Sequence, residues 1–574
     1  MKQRKGMTLL LCAVLAAGMA GCTGTSGIPD APDSEGPSSS RAEETTQTEL
    51  IELTTESVAE ESGKYVEVLR IGTTKPADSF NIMSEDGSYG KMNYNSFSSA
   101  PFLELDSKGE MQPHIMTSWD IAEDQMTIEA TFATDEGVTW HDGRPLTIDD
   151  VIFTFDYMLN VKKSSYVRSL SQVEKVDDKT LKLTFDTPAA FSTLNKIARF
   201  CYVYPKHIWE GVENYQEYTG EDAVVGCGPY KLSEIDPEAQ MVTYEAVDHY
   251  FKGELTVKKV VVRSYDGHDA LVMALRNGEI DAMYDYSNSL DSSMKPSITG
   301  IDGVEEGMSV NPGNFQMVFG FNAVPTDDLP FRQAVAKALN YQLLATAIGG
   351  EDGEIAGIGI VSPAAKGHDS SLPKNEQDIE GANSILDEAG YLDVDDDGLR
   401  ELPSGEKMSV LITPQFNQTR SALYLRICEI TIENLKEIGV EVVLDEESVR
   451  NSDYATEFRR SGEYEIYIGY TSPGVAQFDA AFMYMVPNPN NPWGTCDDPD
   501  FISSYEKMMN AVSYDDYFAQ SKETQRLAAE KVVGIALCWD KAYFPYRTDK
   551  YTGWNNHPGW GVINAETWYN LRPV

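Results

Sequence analysis

Leu423, Ile427 and Ile430 recur at helical spacing, the stripe continues through Leu435 and Ile438, and it stops at Gly439. From there Val440-Glu441-Val442-Val443-Leu444 reads as a strand. A period of 3.6 that gives way to a period of two across one glycine is a helix feeding directly into a strand. Joints of this kind build α/β layers, in which helices cover the faces of a sheet, and they exclude an all-α or an all-β design. The same mixture recurs along the chain. Val66, Val68 and Ile71 open a strand, and Thr127–Phe132 alternates Ile128, Ala130 and Phe132 with polar neighbours. Thr147 is placed to cap a helix whose first turn holds Asp149 and Asp150 and whose apolar face carries Val151, Phe155 and Met158. A helix over Ile379 to Gly390 leads through an acidic turn to a strand from Met408, and a further strand, Tyr464 to Ile468, ends at Gly469-Tyr470. No internal repeat of fixed period is present.

A chain of 574 residues has room for about four domains or lobes. Its 91 acidic against 46 basic residues give a net charge of −45, which excludes a general nucleic-acid binder and a polybasic lipid-surface binder. With 30 Tyr, 21 Phe and 8 Trp the bulk of it has ample material for a packed core.

Lys2, Arg4 and Lys5 precede an apolar run from Met7 to Ala17, and Met19-Ala20-Gly21-Cys22 closes it. This ending resembles the lipobox of bacterial lipoproteins, with Met19 where Leu is more usual. The resemblance implies a lipoprotein signal peptide over residues 1–22, lipid on Cys22, and an extracytoplasmic protein anchored to the cell membrane; an uncleaved anchor or an ordinary signal peptide are the other readings. No later stretch approaches the roughly 18 apolar residues of a membrane-spanning helix. Residues 23–64 are rich in Thr, Ser, Gly, Pro and acids, and are expected to form a solvated tether. Beyond Cys12 and Cys22 the cysteines are Cys201, Cys227, Cys428, Cys496 and Cys538. Their spacing suggests no zinc site, and it leaves both disulfides and buried free thiols open.

Catalytic motifs are missing: the chain has no HExxH, no GxSxG and no phosphate-binding glycine loop, so no enzyme activity is expected. One metal pattern stands out. Asp393, Asp395 and Asp397, followed by Gly398 and by Glu401 at the ninth position, match the opening of a calcium loop. Ser404 occupies the twelfth position, where a bidentate Glu would complete the shell, so the alternative is a solvated acidic turn.

Several segments in order identify a family resemblance. Gly137-Val-Thr-Trp140-His141-Asp142-Gly143-Arg-Pro145-Leu146-Thr147, Val225-Gly226-Cys227-Gly228-Pro229-Tyr230, Ala274-Leu275-Arg276-Asn277-Gly278-Glu279-Ile280-Asp281, Phe321-Asn322 with Phe331-Arg332-Gln333-Ala334, and the helix ends at Gly390 and Gly439 resemble those of the extracellular solute-binding proteins of family 5, the oligopeptide-binding components of ABC importers. These residues read as architectural: His141 as a satisfied turn residue, Gly228-Pro229 as an enforced bend, Asn322 and Arg332 as ties to backbone groups. The resemblance implies a two-lobed α/β fold with a discontinuous first lobe and an extra inserted domain. Residues 65–97, 222–312 and 545–574 would form lobe I, 98–221 the insert and 313–544 lobe II. It implies a monomer that closes on a peptide or related small solute and delivers it to the permease. An oligosaccharide or other small-solute receptor of the same fold is the second reading, and a surface-anchored hydrolase a third.

For the ligand site the resemblance points to the turn after the strand ending at Tyr470. Peptide-binding relatives carry an Asp there that holds the peptide's ammonium group, whereas this chain has Pro473. Either Asp479 substitutes, or the ligand is not an ordinary peptide. Tyr470, Ser472, Asp479 and Trp493 are the expected ligand-binding residues.

Overall fold

The computed structural model describes residues 63–76, 80–83, 96–134, 137–285, 289–417, 420–472, 474–487 and 493–574; Cys22 and the rest of the expected signal peptide and tether through residue 62 lie outside the described residues. Among the described residues no helix is long and apolar enough to cross a membrane.

The first lobe is built on a seven-stranded sheet ordered Val304–Glu305, Tyr546–Arg547, Ala282–Met283, Leu69–Thr73, Lys259–Ser264, Met241–Ala246 and Tyr230–Asp236. Leu69–Thr73 lies parallel to both Lys259–Ser264 and Ala282–Met283, and the helix His268–Arg276 makes the crossover between those two. A parallel pair needs such a crossover, and the helix meets the need by burying Leu271, Val272 and Leu275 on the sheet. Asp281, fully buried, accepts from the Arg70 backbone N–H at 2.9 Å, from its guanidinium at 2.7 Å and from Lys550 Nζ at 3.0 Å. One carboxylate thereby joins the beginning, middle and end of the chain.

The insert carries an antiparallel four-stranded sheet ordered Met116–Ile121, Thr127–Phe132, Thr180–Phe185, Leu170–Lys175. Thr127–Phe132 buries Ile128, Ala130 and Phe132 as its alternation requires. The helix Ile148–Asp156 starts after Thr147, whose backbone N–H donates to Asp150 Oδ2 at 2.9 Å. Met158 lies beyond this helix, in the π-helical turn Tyr157–Val161, although its side chain stays buried. The expected strand at Val66 is shorter than its apolar pattern: Val66 makes only an isolated bridge to Val257, and Val68 is exposed.

Where the first lobe passes into the insert, Gly228 N–H donates to the Ser98 carbonyl at 2.8 Å. A Cβ at Gly226 or Gly228 would run into the Ser98 backbone. The chain does bend at Gly228-Pro229, and the close approach of two crossing stretches of chain gives the glycines a further reason to be there. His141 fills the same joint: its Nε2 meets the Gly228 carbonyl at 3.0 Å, and burial lowers its pKa to about 4, so the ring is neutral.

The second lobe is a five-stranded mixed sheet ordered Val442–Leu444, Val410–Pro414, Ile466–Thr471, Asn314–Phe319, Gly534–Ala536. The helix Ser421–Lys436 feeds the strand Val442–Leu444, as its periodicity predicts. The strand expected to end at Gly469-Tyr470 continues to Thr471, because Tyr470 and Thr471 still pair with Phe315 and Asn314. Arg332 is buried and donates to the carbonyls of Thr326 and Asp327 at 2.9 and 2.8 Å, while Asn322 Nδ2 reaches the Gly462 carbonyl at 3.4 Å.

The lobes are joined by a two-stranded antiparallel ribbon, Met308–Val310 with Lys541–Tyr543. The five described cysteines are all free and buried, and burial pushes Cys201 and Cys496 up to about 12. That resolves the open choice in favour of inert thiols.

Candidate functional site

A cavity of about 230 Å³ lies where the first lobe, the insert and the second lobe meet. Part of its wall is aromatic. Phe97, Tyr284 and Trp568 come from the core edge of the first lobe, where Phe97 and Trp568 rings lie 5.6 Å apart, and Tyr250 and Tyr569 extend the surface. The insert contributes the strand Leu103–Leu105, paired with Met111–Pro113. The second lobe contributes Gly474, Val475 and Gln477.

The insert's hairpin is shaped for this meeting. Asp106 accepts from the backbone N–H groups of Lys108 and Glu110, both at 2.9 Å, and from Gln112 Nε2 at 3.1 Å. Gly109 at the tip has φ +72°, and a Cβ there would press on the Ala476 backbone. The approach lets Gln477 Nε2 donate to the Gly109 carbonyl at 2.7 Å and to Asn195 Oδ1 at 3.1 Å. Lys366 pairs with Glu110, and the Met111 N–H donates to Tyr514 Oη at 3.1 Å. The second lobe is therefore held against the insert by polar contacts around the cavity rim.

Glu104 is the acid in the wall that is not used to shape a turn. Burial pushes it up to about 7, with Lys252 opposing the shift and Glu566 adding to it. His114 beside it is lowered by burial to about 3 and is neutral. Its Nδ1 faces the Pro101 carbonyl at 3.0 Å and so carries the proton, leaving the Nε2 lone pair to accept from Tyr250 Oη at 2.9 Å.

The residues expected from sequence fall around this site rather than in its lining. Tyr470 Oη is engaged with Asn311 at the end of the interlobe ribbon, at 3.0 Å from Nδ2, and its ring lies 5.2 Å from the Arg420 guanidinium. Ser472, half-buried, is the first residue after the same strand. Asp479 accepts from Tyr517 Oη at 3.2 Å and acts electrostatically on the half-buried Lys196 of the insert. Trp493 lies under the Arg459 guanidinium, 3.9 Å from its ring centroid, and 5.7 Å from Tyr484. The loop between Ser472 and Asp479 does reach the cavity, through Gly474, Val475 and Gln477. Glu104 and Gln477 carried no sequence signal: each is an ordinary polar residue in a short strand or loop.

Asp393, Asp395 and Asp397 converge with carboxylate oxygens within 4.8 Å of one another, all exposed. Glu401 is turned inward, accepting from the Val394 N–H at 2.9 Å, and Lys407 Nζ sits 3.1 Å from Asp397 and 3.7 Å from Asp395.

Residues 110–493 match the family described as bacterial extracellular solute-binding proteins, family 5 Middle. The chain is 28% identical over 325 residues to the oligopeptide-binding protein AppA of Bacillus subtilis, covering 54% of this chain and 56% of that protein. It is 30% identical over 308 residues to a putative ABC transporter peptide-binding protein of Brucella abortus, covering 51% of this chain and 54% of that protein. It thus spans about half the length of the curated relatives it matches. The fold is shared more widely: AppA in complex with a nonapeptide superposes with a TM-score of 0.71 at 18% identity, over 88% of this chain and 99% of that one. NikA of Brucella suis in complex with Fe(III)-EDTA gives 0.74 at 16% identity, over 88% and 100%. The two-lobed α/β fold is that of these binding proteins, and the chain belongs to the bacterial extracellular solute-binding proteins of family 5.

Proposed function

We propose that this protein captures a peptide or related small solute in the cavity at the junction of its lobes and delivers it to the permease of an ABC importer. The observation that carries the reading is the cavity itself. It is lined by three separate parts of the chain, carries aromatic rings that offer apolar area at little entropic cost, and is rimmed by polar contacts that only the approach of the lobes completes. The protein acts as a monomer outside the cytoplasm, held to the membrane by lipid on Cys22.

The test is a melting screen with pools of peptides, oligosaccharides and metal chelates. A ligand present at 100 times its dissociation constant adds about 2.7 kcal/mol to stability. A melting shift from one pool, stoichiometric and without turnover, is the expected result. Turnover without stoichiometric binding would establish the hydrolase instead. A Cys22→Ser protein should lose fatty-acid label and membrane attachment; unchanged mass and attachment would remove the anchor from the proposal.

A further inference from the structure

We infer that the solute is a cation, an amine whose positive group is taken by the Glu104 carboxylate within the aromatic cavity. The inference rests on the proposed capture function and adds the chemical class of what is captured.

The lining has a one-sided charge pattern. Glu104 and Asp106 line the cavity, and among the described lining residues none is Lys or Arg. Asp106 is committed to the hairpin turn by its three donors. Glu104 is left without an equivalent set. Its Oε1 lies 3.3 Å from His114 Nε2, and that nitrogen has no proton to give, because Nδ1 holds it against the Pro101 carbonyl. Its Oε2 is 4.0 Å from Lys252 Nζ, which donates instead to the Pro113 carbonyl at 2.8 Å. The other groups facing it, Glu566, Tyr250 and Tyr569, bring no positive charge. An empty cavity therefore disfavours the carboxylate, and an ammonium entering it supplies the missing partner.

The aromatic wall points the same way. The faces of Tyr and Trp rings attract cations; Phe97, Tyr284 and Trp568 line the same cavity as Glu104, and Tyr250 and Tyr569 lie near enough to feel its charge. A ligand carboxylate would meet two acids, with Lys252 as the nearest cation and already donating to the Pro113 carbonyl, so anions and zwitterions with a buried carboxylate are disfavoured. The net charge of −45 adds a field that gathers cations before contact.

Binding should then be linked to protons. With Glu104 poised near 7 when empty, a cation holds it ionised, and at neutral pH about half a proton leaves for the buffer per ligand bound. Affinity is full above this pKa and is lost as pH falls through it. The experiment is calorimetry with four probes: alanyl-phenylalanine amide, its N-acetylated neutral form, N-acetyl-alanyl-phenylalanine with a free carboxylate, and phenethylamine. The amide is expected to bind at least tenfold more tightly than the neutral and anionic forms, with affinity falling from pH 8 to pH 5.5 and heats that depend on buffer ionisation. Glu104→Gln should erase both the preference and the pH dependence. Should that variant not fold, the pH profile of the unaltered protein decides, repeated in Asp540→Asn because Asp540 at the ribbon is also raised to about 7. Phenethylamine matching the amide would mark a non-peptide amine as sufficient, and a weaker phenethylamine a peptide amine; both retain the inference. Equal binding of the acetylated forms, or a preference that survives in Glu104→Gln, overturns it. If none of the four binds while a pool shifts the melting point, the cation inference falls and solute capture stands; if no pool shifts it, both fall.

Discussion

Asp540, Arg420 and Asn311 show how much one buried carboxylate constrains its neighbours. Asp540 stands at the end of the interlobe ribbon and accepts from Asn311 Nδ2 at 3.0 Å, and burial pushes it up to about 7 against the pull of Arg420. Arg420, from the second lobe, is itself buried, 2.6 Å from Asp291 and 2.9 Å from the Ser289 carbonyl of the first. For Asp540 the folded pKa lies above its ordinary carboxylate value, so the folded state holds the extra proton between about 4 and 7. Stability contributed by this group is then greatest at low pH and falls as pH rises through that window. Asp540→Asn removes the cost of ionisation and keeps the size of the side chain. Its melting temperature is expected to exceed the parent's at pH 8 and to come close to it at pH 5, as thermal unfolding at the two values would record. A gap of the same size at both would show that the carboxylate is not the origin. Arg420→Met, by contrast, strands the buried Asp540 and the half-buried Asp291, and denaturant unfolding should register a loss of about 3–5 kcal/mol at pH 8.

At the scale of elements, the acidic loop and the helix joints differ in what closes them. In the loop the Gly398 N–H donates to Asp393 at 2.9 Å and the Asp397 N–H to the same carboxylate at 3.2 Å, so the backbone already satisfies part of the oxygen set. Lys407 supplies the positive charge, and Glu401 is turned away, its backbone in an isolated bridge with Lys407. Millimolar calcium is therefore expected to leave the melting temperature of the parent unchanged and to raise that of Lys407→Met. A shift in the parent that Asp395→Ala abolishes would instead make the loop a calcium site. Joints such as Ser421–Lys436 into Val442–Leu444, and the cap at Thr147, were legible in sequence because each is decided within a few residues by periodicity and a local hydrogen bond. The need for Gly226 and Gly228 was legible only as a pattern. Its cause, the Ser98 backbone passing against them, belongs to a segment more than a hundred residues earlier.

On the scale of the whole molecule, the cavity could not be read from sequence because no part of the chain contains it. Glu104, Tyr250, Gln477 and Trp568 become neighbours only once three sheets are assembled, and the strand Leu103–Leu105 that carries Glu104 looks like any half-buried edge. Sequence reasoning pointed to the loop of the second lobe that reaches the cavity, and named Ser472 and Asp479, which flank its three lining residues Gly474, Val475 and Gln477. Gln477 shows why the choice matters. It is buried, it lines the cavity, and its amide spans from the second lobe to Gly109 and Asn195 of the insert. A ligand that fills the cavity therefore packs against the same side chain that fastens the lobes, and closure and binding are coupled through it. Gln477→Ala removes two interlobe hydrogen bonds without touching the ribbon, a loss of about 1–3 kcal/mol to the closed form. Solution scattering should then show a larger radius of gyration for the ligand-free variant than for the parent, reduced to the parent's value at saturating ligand. Affinity for any solute that shifts the parent's melting point should fall about tenfold, the part of the binding energy spent on closing lobes that no longer hold themselves. Unchanged dimensions together with unchanged affinity would mean that the rim contacts follow closure without helping to set it.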